Sequence, residues 1–175
     1  MNYHNDLFLF SNAISFIDMK LKLILIGKTS EKYLNKGIEI YKNRIDKYIN
    51  FEVIYINDLK NAKNMDVNTI KKKEAENIKK HIKVGDYNCL LDEKGKEFNS
   101  KAYANYLQKK MLGNIKTLNF IVGGAYGFHQ EIYEMANEKI ALSKMTFSHQ
   151  LVRLLFLEQT YRAFAILNNE PYHND

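Results

Sequence analysis

Apolar positions along the chain follow two rhythms, one of period two or continuous, the other of helical spacing. "LKLILIG" (21–27) is a short apolar run closed by glycine, the pattern of a buried first strand. In "TSEKYLNKGIEIYKNRIDKYI" (29–49), Tyr33, Leu34, Ile38, Tyr41, Ile45 and Ile49 recur at helical spacing, and Thr29 or Ser30 is the candidate cap. "FEVIYIN" (51–57) alternates as a strand does. "VNTIKKKEAENIKKHI" (67–82) is a lysine-rich helix with a narrow apolar face, its charge run most simply a solvated surface. "YNCLLD" (87–92) predicts the third strand and "EKGKEFNS" (93–100) a polar turn region. Asn99 or Ser100 then caps the helix "KAYANYLQKKML". "TLNFIVGG" (117–124) is the fourth strand, followed by a shorter helix around "QEIYEMANE", a brief strand "KIALS" and a long helix from about Ser148 to Leu167. Strands alternating with helices predict an α/β fold with a mostly parallel sheet and ligands at the carboxyl ends of its strands.

Composition narrows the class. A chain of 175 residues is long enough for one domain with a sizeable core, and 46% hydrophobic with 26% charged residues is ordinary for a globular protein. The net charge of +6 makes acidic partners plausible, RNA above all. A single cysteine, Cys89, excludes an internal disulfide and fits a cytoplasmic location; within "YNCLL" it reads as a small buried hydrophobe. The five histidines show no metal-type pairing, so no metal is expected. No run reaches the roughly 20 apolar residues of a membrane helix, so no membrane partner is expected. Residues 1–18 lack a basic signal-peptide start and are read as an extension of no assigned role, with 19–175 as a single domain.

Three constellations carry the candidate chemistry. "IVGGAYGF" ends a strand in Gly123 and Gly124, which admit close backbone approach, and Gly127 permits a tight turn. Its G-G-x-x-G spacing is not the dinucleotide fingerprint, because Val122 stands where the first glycine would be needed. A plain structural turn is an equal reading. "SKMTFSHQ" offers the hydroxyls of Ser143, Thr146 and Ser148 and then His149 at the opening of the last helix, which Ser148 can cap simply. In that helix Leu151, Val152, Leu154, Leu155, Phe156 and Leu157 cover nearly every side, so full burial with help from a second subunit is expected. Arg153 interrupts the run, one turn from His149, and must meet a carboxylate, a chain terminus or a polyanion. Glu158 and Arg162 form another i, i+4 pair, read as structural. Tyr172 and His173 close the chain soon after the helix.

Taken in order, "IVGGAYGF", "ALSKMTFSHQLVR", "EQTYRAF" and the closing "PYH" resemble the SPOUT-class methyltransferases, specifically the ribosomal RNA large subunit methyltransferase H family of pseudouridine N3-methyltransferases. The resemblance runs from Met19 to about His173. It implies a C-terminal deep trefoil knot, an exception to the usual rule against knots. It also implies a homodimer packed through the knot and S-adenosyl-L-methionine as cofactor. The family's cofactor contacts fall on Leu91, Gly124, Ser143, Lys144, Met145, Thr146, Phe147 and Ser148. The substrate it implies is ribosomal RNA in the assembled ribosome, near the subunit interface. Ser148 stands where the family often has proline, and the extension is foreign to the pattern.

On this reading the cofactor carries the electrophile, and the protein must position an acceptor nitrogen and help remove its proton. Arg153 is expected to hold a phosphate or polarise the base, His149 to position substrate or loop, and Tyr172 and His173 to shape the acceptor pocket, with His173 the candidate for proton removal. A SPOUT enzyme acting on transfer RNA or on a ribose 2′-hydroxyl is one alternative. A ribosome-binding module without catalysis is the other.

Overall fold

A computed structural model describes residues 18–172. The extension call for residues 1–17 and the role expected of His173 lie outside the described residues; Asp18, at 2.5 Å from Lys116, is the one described residue of that extension.

The chain runs β1 (Lys20–Ile26), α1 (Lys32–Ile45), β2 (Asn50–Ile56), a short 3₁₀ turn (Ala62–Asn64), α2 (Val67–Lys79), β3 (Tyr87–Glu97), α3 (Ser100–Leu112), β4 (Thr117–Val122), α4 (Gln130–Met135), β5 (Glu138–Ala141) and α5 (Leu151–Leu167). The sheet order is β2-β1-β4-β3-β5, and every pairing is parallel. The expected α/β architecture with a parallel sheet is therefore present.

Burial on both faces explains the mainly apolar strands, in which Lys22, Asn88 and Asn119 are buried polar exceptions. One face packs Leu21, Leu23, Leu25 and Phe120 against α1, α3 and α5, with the Phe120 and Phe156 rings 4.6 Å apart. The other packs Ile24, Ile26, Leu90 and Ile121 against Ala75 and Ile78 of α2 and Ile132 of α4. Cys89 is fully buried, as its apolar run predicts.

Local expectations meet mixed outcomes. Asn99 caps α3, its side chain accepting from Ala102 N at 2.8 Å. Neither Thr29 nor Ser30 caps α1: the helix starts after Glu31 with no side-chain cap. Thr29 instead turns inward to Arg153, and Ser30 bonds Gln150. "EKGKE" is not a turn. β3 continues to Glu97 through an irregularity between Leu91 and Lys96 and pairs Lys96 and Glu97 with β5. A Cβ on Gly95 would lie 2.5 Å from backbone atoms of Ile140, so only glycine allows the two strands to pass so closely. Tyr33, placed on the apolar face of α1 by its spacing, is 68% exposed. Within one chain α5 buries Phe156 and Leu157 and leaves Leu151, Leu154 and Leu155 only partly covered, the sides for which a second subunit was expected. Among the described residues no helix is long and apolar enough to cross a membrane.

Candidate active site

The carboxyl ends of β3, β4 and β5 and the segment leading into α5 enclose a cleft of about 500 Å³, inside the range of small-molecule sites. Its floor is apolar (Leu91, Val122, Phe128, Ile140), and its rim is polar.

One wall is the glycine turn. Gly127 N donates to Gly124 O at 3.1 Å, and Gly127 has φ 72°, a conformation glycine adopts without a Cβ clash. Glu74 of α2 presses on this turn: a Cβ at Gly124 would lie 2.6 Å from each of its carboxylate oxygens. Among the described residues no hydrogen bond reaches that carboxylate. Burial, and then the charge of Asp58, raise its pKa above the usual glutamate value. A raised folded-state pKa favours folding while the group is protonated, and that contribution is lost as pH rises through it. Glu74→Gln is therefore expected to melt higher than the parent at pH 7, the gap closing towards about pH 4. Thermal melts across that range check it, and a lower melting point for the variant at pH 7 would reveal a charge partner for Glu74.

The opposite wall is the segment 143–148. Ser143 Oγ accepts from Met145 N at 2.9 Å, and Thr146 Oγ1 donates to Glu93 Oε2 at 3.0 Å. Ser148 Oγ accepts from Leu151 N at 3.2 Å, but α5 begins only at Leu151, after Gln150, whose side chain makes no cap bond, rather than at about Ser148 as expected. Of the residues to which the resemblance assigns the cofactor, the structure brings Leu91, Gly124, Ser143, Met145, Thr146, Phe147 and Ser148 together around the cleft. Lys144 is exposed and outside the lining. The backbone approach at Gly123 and Gly124, the hydroxyl cluster and the apolar floor suit a nucleoside-sized ligand with an apolar base and polar hydroxyls.

His149 lines the cleft mouth. Burial first, then the nearby Arg153 charge, lower its pKa, which Asp58 partly offsets. Its imidazole is thus neutral at pH 7, suited to accept a hydrogen bond or a proton.

Within the chain Arg153 is held by neutral acceptors, with Tyr55 and Asp58 acting on it through their charges. Its side chain is fully buried, and among the described residues no carboxylate forms an ion pair with it. Nε donates to His149 O at 2.9 Å, Nη1 to Gly27 O at 2.9 Å and Thr29 Oγ1 at 3.0 Å, and Nη2 to Ile26 O at 2.5 Å. Two of the four acceptors, Ile26 O and Gly27 O, are carbonyls at the carboxyl end of β1, where the sheet ladder stops and a backbone carbonyl needs another donor. A guanidinium is suited to this task because its donors form a rigid fork. The residue locks the first turn of α5, and with it His149, onto the sheet.

Tyr172 is not brought into the cleft. The tail folds back along α1 and α5, with Tyr172 Oη 3.1 Å from Tyr41 Oη and 3.2 Å from Glu158 Oε1. Its ring lies edge-on to Tyr161 at 4.7 Å and under the Arg162 guanidinium. Glu158 and Arg162 pair at 2.6 Å, structurally as expected.

Sequence reasoning missed Asp92, Glu93, Lys94 and Tyr133, all in the lining. Their one signal was position, since Asp92 ends the apolar run of a strand whose carboxyl end is where α/β sheets bind ligands.

Comparison with known proteins agrees with this geometry. A family profile described as "Predicted SPOUT methyltransferase" matches residues 19–173. A protein of Parabacteroides distasonis named ribosomal RNA large subunit methyltransferase H is 55% identical over 157 residues, 90% of this chain and 100% of the relative. Proteins of the same name from Christiangramia forsetii and Flavobacterium psychrophilum are 53% and 51% identical, each over 89% of this chain and 99% of the relative. With its parallel sheet, its glycine turn and its cleft beside α5, the chain belongs to the SPOUT methyltransferase family.

Proposed function

We propose that this protein methylates N3 of a pseudouridine in large-subunit ribosomal RNA, on assembled ribosomes, with S-adenosylmethionine as donor. The observation that carries the reading is the cleft itself: seven of the eight residues the resemblance assigns to the cofactor line one nucleoside-sized space, in a chain whose relatives are named for large-subunit ribosomal RNA methylation.

S-adenosylmethionine supplies an electrophilic methyl group on a sulfonium when bound. The chain's own work is orientation. Backbone groups of the glycine turn and of the segment 143–148 hold the ligand, and the apolar floor excludes water from it. Neutral His149, at the mouth, is placed to orient the acceptor base or take its proton. Arg153 acts through His149 and the loop as a positioning residue.

The protein works as a homodimer in this reading, with its C-terminal part threaded as a deep trefoil knot. Uncovered apolar residues support the dimer: Tyr33 and Ile40 of α1 are 68% and 42% exposed, and Leu151 of α5 is 36% exposed. They flank the groove where Leu154 meets Gly37. Tyr172 packs on this same pair of helices, away from its own cleft; in this reading it and the following His173 serve the cleft of the second subunit. Aspartates at Tyr33 and Ile40 together are expected to halve the mass in solution from twice the 20.6 kDa chain to once, measured by light scattering. An unchanged dimer would move the interface elsewhere.

The function is tested with ribosomes from a strain lacking the gene. Purified protein and S-adenosylmethionine are added, the RNA is digested, and nucleosides are identified by mass spectrometry. N3-methylpseudouridine appearing on assembled ribosomes and not on free RNA is expected. Another methylated nucleoside would change the substrate, and no methyl gain would remove the activity.

A further inference from the structure

Two carboxylates in the cleft are unused by the chemistry above. Asp92 and Glu93 stand at the carboxyl end of the straight part of β3, and both line the cleft. Each already accepts a neutral hydroxyl: Tyr133 Oη donates to Asp92 Oδ2 at 2.6 Å, and Thr146 Oγ1 donates to Glu93 Oε2 at 3.0 Å.

The two bonds differ in what surrounds them. Asp92 is held at both oxygens, since Oδ1 accepts from Lys94 N at 2.8 Å, and the Tyr133 ring is itself set edge-on against Phe128 at 5.8 Å. Glu93 is exposed, and Thr146 is its one hydrogen-bond partner among the described residues. That bond is also the one hydrogen bond joining the segment 143–148 to the sheet among those residues. An exposed bond between a carboxylate and a hydroxyl on a loop is exchangeable, because another hydroxyl in the same place restores it at little cost.

We propose that Glu93 reads a ribose hydroxyl of the cofactor, which replaces the Thr146 hydroxyl on its carboxylate. This rests on the cofactor reading above. A carboxylate is the group suited to the task, since it is acceptor-only and can take both hydroxyls of a vicinal diol. Acidic side chains at the carboxyl ends of sheet strands read ribose in other α/β folds by the same chemistry. In the absence of ligand, Thr146 occupies the acceptor and ties the loop; ligand entry releases the loop from β3. Asp92, already bonded at both oxygens, stays as it is and buttresses the end of the strand.

The exchange predicts effects of opposite sign for the two partners of one hydrogen bond. Glu93→Ala removes the acceptor and is expected to weaken cofactor binding by about tenfold or more. Thr146→Val removes the competing hydroxyl and is expected to tighten binding. Were the bond only a brace for the loop, both variants would weaken binding alike.

The experiment is titration calorimetry of the full chain with S-adenosylhomocysteine and its 2′-deoxy and 3′-deoxy forms, on wild type, Glu93→Ala, Glu93→Gln and Thr146→Val. Wild type is expected to prefer the intact ribose by about tenfold over at least one deoxy form. Glu93→Ala is expected to lose that preference, Glu93→Gln to retain part of it, and Thr146→Val to keep it with tighter binding. Undiminished preference in Glu93→Ala, or weaker binding in Thr146→Val, overturns the proposal. Failure of wild type to bind S-adenosylhomocysteine at all overturns the cofactor reading instead. Glu93 is exposed, so its variants are expected to fold; thermal melts on the same samples identify any loss of binding that comes from unfolding.

Discussion

Arg153→Ala is expected to destabilise the protein by about 3 kcal/mol or more and to weaken cofactor binding with it. The magnitude follows from the acceptors left behind. Three backbone carbonyls and the Thr29 hydroxyl take their donors from this one guanidinium, and each buried acceptor stranded without a donor costs about 1–3 kcal/mol. Some of the loss is recovered where water enters the space, so the costs do not simply add. Burial lowers the pKa of the guanidinium, but an arginine starts so high that it stays charged. Arg153→Lys reaches fewer of the four acceptors and is expected to fall between the two. Denaturant unfolding measures the change, at fixed protein concentration because the stability of the proposed dimer would depend on it. Full stability with abolished methyl transfer would return Arg153 to the direct substrate role expected from the sequence.

Gly95→Ala is expected to cost about 2–3 kcal/mol and to reduce affinity for S-adenosylhomocysteine by about tenfold or more. The added methyl would meet the N and C atoms of Ile140 at 2.5 Å and its Cα at 2.7 Å. All three are backbone atoms of β5, so no rotamer change relieves the contact and the two strands must part. Ile140, Ala141 and Leu142 line the cleft, and displacing β5 moves that wall. Gly124→Ala is the useful contrast. Its new methyl meets the carboxylate of Glu74, the free end of a flexible side chain, and the fold is expected to tolerate it. Denaturant unfolding of both variants decides the matter; equal losses of stability would mean that Glu74 is held as firmly as a backbone.

Much of this was legible along the chain, for reasons that are local. A strand buried on both faces is mostly apolar, so β1 and β4 announce themselves even with Lys22 and Asn119 buried within them. Asn99 announces a helix start because its short side chain reaches the amide of Ala102, three residues on. The second half of β3 was hidden because Lys94, Lys96 and Glu97 are exposed, and an exposed strand segment carries the composition of a turn. Tyr33 misled for a related reason: spacing identifies a helix face, not whether the chain's own core covers it, and Tyr33 is left exposed.

By itself the sequence determined the alternation of strands and helices, the burial of both sheet faces, the glycine turn and the membership of the SPOUT family, because each depends on residues near one another in the chain. Tertiary structure alone decided the strand order, the partners of Arg153 and the place of Tyr172. Arg153 lies 124 to 127 residues from three of its acceptors, and Tyr41 lies 131 residues from Tyr172. No spacing rule spans such distances. A buried charge signals that it must have partners, and only the packed chain shows that they include the Ile26 and Gly27 carbonyls at the end of the first strand and the Thr29 hydroxyl.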